Sequence, residues 1–504
     1  MREILYLQAG NYSNFISTHF WNTQDAYGLT QSSDENPVED QVSFTERYTP
    51  NGATYYPRAI MFDYKENFGT LAQSNALSGV NESESTDPKP GLWDQSVDEI
   101  RQNRLARSSY HAQLEEEDQN SSQPTRPEEI RYWSDFSHVY YLPRSIQRVN
   151  RPGSGDATSD AWKESQDQFR QYNKASDNDL MDTSVRLFLE ESDSIQGVHL
   201  MTDVTTFGGF SDALMVQLED EFLKTPTVAF PILSANTAHA DTDDAQSIRR
   251  ILNEALYLRS LREHATLSIP ISIPQTWSEK AWIGSPMPKS PYFSSSIIAA
   301  HVETVTYPLR MRTPPDTIST FGSRLLADGG SPPFAEISGV IPVGNGTNFG
   351  HSLANFTNPS AQCNEGRFFS LRDVTRGFDS LERRNYEGWR NGFIGHSKPE
   401  TLSFSGFPLT APFHTALSSD AQTLGTVHVL SRLSISNGLA RLFKSYASLI
   451  DASMRRRSAG IMAMGIDTDD IAELITDLWT IHDSYPAEAQ SHDDDGNVMG
   501  SDEE

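Results

Sequence analysis

Gln8, Gly10, Asn11 and Asn14 sit where the hydrophobic period of the chain changes, a place suited to holding an anion. Ile4 to Leu7 is a continuous apolar run, the pattern of a strand buried on both faces. After a turn at Gln8, Ala9 and Gly10, the residues Tyr12, Phe15, Ile16, His19 and Phe20 fall on one helix face. A strand that feeds a helix through small and polar residues leaves unpaired N–H groups at the positive end of the helix dipole, where a phosphate can sit. An ordinary strand–loop–helix unit has the same periodicity, so the period alone leaves both readings open. Asp63 closes a second strand pattern, Tyr55 to Asp63, and taken alone reads as a strand-end aspartate that starts a turn. Gly208 and Gly209 lie in the stretch Val204 to Asp212, ahead of a helical pattern through Leu214, Met215, Leu218 and Phe222. His414, Ser418 and Asp420 bring three triad residue types close in sequence, but no nucleophile elbow accompanies them, and they read as coincidence.

The elements that must position these residues belong to a chain of 504 residues, long enough for two or three domains. Asp and Glu number 68 against 40 Lys and Arg, a formal charge of -28, which repels phosphate backbones and argues against direct nucleic-acid binding. The single cysteine, Cys363, excludes an intrachain disulfide framework and any multi-thiolate metal site. No signal peptide, presequence or apolar run of roughly 18–20 residues is visible, so no transmembrane segment is expected. Asn22 to Asn51 is polar and turn-rich and reads as a surface loop. Residues 81–129 read as an acidic, low-complexity insertion and 486–504 as an acidic disordered tail. Thr227 to Leu233 reads as another buried strand. Gly438 to Met454 is an amphipathic helix ending in Arg455, Arg456 and Arg457, which suits a helix C-terminus.

Position by position, Met1 to Trp21 resembles the opening of tubulins without a gap: Met-Arg-Glu-Ile-x-x-x-Gln-Ala-Gly-x-x-x-Asn-x-Ile-x-x-x-Phe-Trp. The resemblance implies the first strand, first nucleotide-binding loop and first helix of a GTPase domain. Gln8, Ala9, Gly10 and Asn14 keep the pattern, whereas Asn11, Tyr12 and Ser13 depart from it. Tyr55-Tyr56-Pro57-Arg58-Ala59-Ile60-Met61-Phe62-Asp63 resembles the tubulin segment whose final aspartate lies near the nucleotide's magnesium. Two residues on, Lys65 replaces a glutamate and weakens any cation site. Leu189 to Val198 resembles a helix end and strand start that place Val204 to Asp212 opposite the tubulin Gly-Gly-Gly-Thr-Gly-Ser-Gly loop. Two glycines remain there, Phe207 and Phe210 add bulk, and Asp212 brings a negative charge and reads as a helix N-cap. Asn253-Glu254-Ala255-Leu256-Tyr257 resembles the segment whose asparagine contacts guanine; a helical asparagine bonded to nearby backbone is the alternative. The resemblance therefore implies a vestigial GTP site at Gln8, Gly10, Asn11, Asn14, Asp63, Gly208, Gly209 and Asn253. No metal ligand is expected. No catalytic residue is expected either, because Ser295 to Arg312 lacks the Gly-x-x-Asn-x-Asp motif that completes hydrolysis in tubulins.

Trp133-Ser134-Asp135-Phe136 and Leu142-Pro143-Arg144-Ser145-Ile146 have no tubulin counterpart and look like the signature of the Misato family. Taken alone, they read as buried aromatics that pack the insertion onto the domain. The expected fold is α/β: a tubulin/FtsZ-like, Rossmann-type nucleotide-binding domain over 1–80 and 130–265, then an α+β domain over 266–485. The resemblance implies a factor in mitochondrial distribution and mitochondrial DNA inheritance, in the cytoplasm or on the cytosolic face of the outer membrane. It would act by binding or scaffolding protein partners at the mitochondrial surface or the cytoskeleton. The alternatives are an active, polymerising GTPase and a cytoskeletal regulator.

Overall fold

The computed structural model describes residues 2–30, 37–49, 52–72, 130–151, 162–174, 180–222, 225–234, 244–273, 290–313, 316–326, 333–344, 346–359, 368–393, 400–409, 425–456, 458–462 and 464–485. The acidic insertion, the tail, and His414, Ser418 and Asp420 lie outside the described residues.

The apolar runs build the first sheet. Strands β1 (Glu3–Ala9), β4 (Ala59–Tyr64) and β7 (Thr227–Leu233) are buried along their whole length, as strands covered by helices on both faces must be. With β5 (Ile146–Val149), β6 (Ile195–Asp203), β8 (Leu267–Ser268) and β9 (Ile271–Ser272) they form a parallel sheet in the order β5-β4-β1-β6-β7-β8, with β9 also on β7. Parallel partners need crossovers, and a long helix lies in each of those from β1 to β4, β6 to β7 and β7 to β8: α1 (Asn11–Thr30), α3 (Val204–Phe222) and α4 (Ala245–His264). A further helix, α2 (Trp162–Lys174), lies on α3. The order of connection reverses at β1, which has β4 on one side and β6 on the other. Open α/β sheets form their ligand crevice at the carboxyl ends of such strands.

A second, mixed sheet has the order β11-β10-β14-β12-β13, from β10 (Glu336–Val340), β11 (Ala354–Asn355), β12 (Phe368–Arg376), β13 (Glu400–Phe404) and β14 (Val429–Ser436). Helix α5 (Pro291–Thr306) packs against α1 on one side and this sheet on the other, and is buried from Tyr292 through Thr306. Helices α6 (Asn437–Arg455) and α7 (Thr468–Asp483) pair with each other and with α4.

Four readings need correction. Gln8 and Ala9 belong to β1, so Gly10 alone makes the turn. The described residues of the stretch read as a surface loop from Asn22 to Asn51 form elements instead: α1 continues to Thr30, and β2 (Phe44–Thr49) pairs with β3 (Gly52–Pro57) in a hairpin. The single strand read over Tyr55 to Asp63 is divided at Arg58 between that hairpin and β4. Asp212 is not an N-cap, because α3 starts directly after β6 at Val204 and Asp212 lies two turns inside it.

Candidate functional site

Gln8, Gly10, Asn14 and Asp63 converge at the carboxyl ends of β1 and β4. Gly10 adopts φ +99°, a conformation that L side chains rarely take, and a Cβ there would lie 2.5 Å from Asp203 Cβ. Its N–H donates to Phe62 O at 3.0 Å, tying the turn to β4. Asn14, one helical turn on, donates through Nδ2 to Phe62 O and to Asp63 Oδ2, each at 3.1 Å. Asn11 is the half-buried first residue of α1.

The Asp63 carboxylate is fully committed to internal donors. It accepts from Asn14, from the Tyr64 N–H at 2.8 Å, from Asn67 Nδ2 at 2.7 Å and from Trp133 Nε1 at 3.1 Å. Burial raises its pKa to about 6 in spite of these four bonds. Asp203, at the end of β6, is also raised to about 6, by desolvation and then by the Asp63 charge. Lys65 is exposed and Glu66 pairs with Arg151 at 2.8 Å, so neither completes a cation site. Among the described residues no group of three or more His, Cys, Asp or Glu side chains is placed to hold a metal ion.

Each residue of the Trp133–Phe136 block is held in place. Trp133 is fully buried on Phe68 and bonded to Asp63; the Ser134 hydroxyl donates to Phe68 O at 2.9 Å. Asp135 Oδ2 accepts the Arg131 and Tyr132 N–H groups. Phe136 stacks on Phe15 of α1, packs at a tilt on His19 and meets Tyr292 of α5 edge-on. Asn22 of α1 clamps the segment from the other side, donating to Phe136 O and accepting from the His138 N–H.

Gly208 and Gly209 face α2 instead of a phosphate. A Cβ on Gly209 would lie 2.4 Å from Trp162 O and 3.0 Å from Ser165 Cβ, and one on Gly208 would lie 3.3 Å from the Trp162 ring. The pair lets two helices approach closely. Phe207 packs on Tyr64 and Phe210, and Phe210 on Phe62 and Phe169, all in the core. Asp212 accepts Gln166 Nε2 at 2.6 Å and the Ser260 hydroxyl, joining α3 to α2 and α4. Tyr12 directs its hydroxyl to Ser294 Oγ of α5 at 2.7 Å. Asn253 is buried on α4.

A guanine nucleotide with magnesium does not fit this corner. The carboxylate that would face the cation has four internal donors, and the glycines that would admit phosphate oxygens are covered by α2. Trp133 and Trp162 were not readable as site residues, because each reaches its contact through tertiary packing; the aromatic block around Trp133 was the one sequence signal.

A parallel sheet whose order reverses at β1, with a glycine turn after that first strand, is consistent with a tubulin-like α/β protein. Residues 2–116 match the family described as Misato Segment II tubulin-like domain, and residues 122–311 match a tubulin domain. Protein dml1 of Aspergillus oryzae is 31% identical over 357 residues, 70% of this chain and 69% of its own. Protein dml1 of Aspergillus niger is 27% identical over 510 residues, 96% of this chain and 97% of its own. Protein misato of Drosophila melanogaster is 27% identical over 378 residues, 66% and 65% of the two chains. The chain belongs to the Misato family of tubulin-like proteins.

Proposed function

We infer that this chain works by binding or scaffolding in the partitioning of mitochondria and the inheritance of their DNA, without turning over GTP. It would act from the cytosolic side, through protein partners at the mitochondrial surface or the cytoskeleton. The observation that supports the mechanistic half is the Asp63 carboxylate, which is buried and accepts from four internal donors. The biological half rests on the resemblance of Trp133–Phe136 and Leu142–Ile146 to the Misato signature. Two further facts are compatible with it: among the described residues no helix is long and apolar enough to cross a membrane, and the net charge of -28 disfavours direct contact with DNA.

The test has two arms. Purified full-length protein, extracted and chromatographed for bound nucleotide and assayed for phosphate release, should hold no stoichiometric guanine nucleotide and release no phosphate from GTP. Depletion in cells should leave mitochondria unevenly distributed and lower mitochondrial DNA copy number. Bound GTP with turnover would shift the conclusion to an active GTPase, and normal mitochondria after depletion would remove the biological role.

A further inference from the structure

The β2–β3 hairpin has two unlike faces. On one, Arg47 pairs with Glu191 of the first domain at 2.7 Å and Tyr56 packs against the core. The register places Glu46 opposite Tyr55 and Tyr48 opposite Ala53, so Glu46, Tyr48, Ala53 and Tyr55 share the other face. Tyr48 is 83% exposed and Tyr55 47%. Among the described residues each of the two strands has one ladder partner, the other strand of the hairpin. The acids Glu39 and Asp40 lie at the hairpin root, and the Tyr55 phenol is raised by its partial burial and then by the Glu46 and Asp40 charges. The one cation of the two strands, Arg47, is on the opposite face and already paired.

We propose that the Glu46–Tyr48–Tyr55 face is a docking surface for an extended basic segment of another protein, with arginines at alternating positions stacked on the two tyrosines. Charge complementarity selects this occupant. Tyrosine faces attract guanidinium ions, Glu46 supplies a carboxylate between them, and the chain as a whole carries -28. An extended segment turns every second side chain to one side, so alternating arginines of the partner meet this face. The surface is separate from the Gly10–Asp63 corner, so its test does not depend on the nucleotide reading.

A fluorescein-labelled peptide of alternating arginine and threonine is titrated into the full-length chain and followed by anisotropy at several salt concentrations. The double variant Tyr48→Ser/Tyr55→Ser should bind about five- to thirtyfold more weakly, the loss of two exposed cation–π contacts. Tyr48→Phe/Tyr55→Phe should bind as wild type does, because the ring faces remain. Glu46→Gln should weaken binding and flatten its salt dependence. Far-UV circular dichroism and the melting temperature of all variants should match wild type, since these side chains are exposed. Equal binding by the serine double variant would overturn the proposal by assigning the peptide to the general acidic surface. Two other results would also overturn it: loss of self-association in the serine variant by sedimentation, with peptide affinity unchanged, or loss of binding to phosphatidylcholine vesicles with peptide affinity unchanged.

Discussion

Trp133 Nε1 donates to Asp63 Oδ2 at 3.1 Å, a buried contact between residues seventy positions apart that seals the carboxyl end of β4. The indole supplies a neutral donor to a buried carboxylate that also accepts from Asn14, Tyr64 N–H and Asn67. Replacing it with phenylalanine keeps much of the ring volume and removes the donor. Trp133→Phe should lower unfolding stability by about 1–3 kcal/mol, the cost of leaving a buried acceptor short of a partner. Urea denaturation of the purified variant measures it; an unchanged midpoint would mean that the bond contributes nothing.

The glycine pair on α3 gives a test with an internal control. Gly209→Ala forces a methyl to within 2.4 Å of Trp162 O, a backbone atom that must shift with its helix. A loss of about 1–3 kcal/mol is expected from such overpacking. Gly388 is exposed in the helix Ser380–Arg390, and a Cβ added there would meet nothing within 4 Å. There the same substitution should stabilise by about 0.5–1 kcal/mol through helix propensity. Equal effects at both positions would remove the close-packing role of Gly209.

The Asp63–Asp203 pair sets the sign of a pH effect. Both folded pKa values are raised to about 6, above the ordinary carboxylate range, so the folded state binds more protons between about pH 4 and 6. Their contribution to stability is present in full below about pH 4 and is lost as pH rises through about 6. Asp203→Asn, a neutral isostere, should match wild type at about pH 4 and exceed it by about 1–3 kcal/mol at about pH 7. Denaturant unfolding of the two proteins at the two pH values checks the difference. A variant less stable than wild type at neutral pH would mean that the charged form is favoured.

Glu303 links both sheets. Its carboxylate meets Arg310 at 3.0 Å and Arg376 at 2.9 Å, and accepts the Tyr27 hydroxyl at 2.9 Å, all among buried groups. Tyr27 belongs to α1, Glu303 to α5 and Arg376 to β12, so one acid joins the first sheet's helix layer to the second sheet. Glu303→Ala leaves two buried guanidinium groups without their shared acid and should cost about 3–5 kcal/mol. Thermal unfolding followed by calorimetry measures it. A loss below about 1 kcal/mol would show the joint to be held by apolar packing alone.

The chain itself determined the elements whose signal is local. Thr227–Leu233 is the strand its apolar run describes, and the α6 periodicity from Leu439 to Ile450 marks a helix face buried as expected. The Gly10 turn was legible because a strand-to-helix change of period needs a residue tolerant of positive φ. Polar residues misled wherever their partners were distant. Asn22, Thr23 and Gln24 look like the start of a loop, yet they are buried in α1, and Asn22 is satisfied by Phe136 O and the His138 N–H. Gly208 and Gly209 look like the remains of a phosphate loop; the arrival of Trp162 and Ser165 on α2 makes them a helix contact. Hydrophobic period fixes which face of a segment is buried. What covers that face, and therefore whether a carboxylate such as Asp63 meets a ligand or an indole, depends on contacts that only the folded chain brings together.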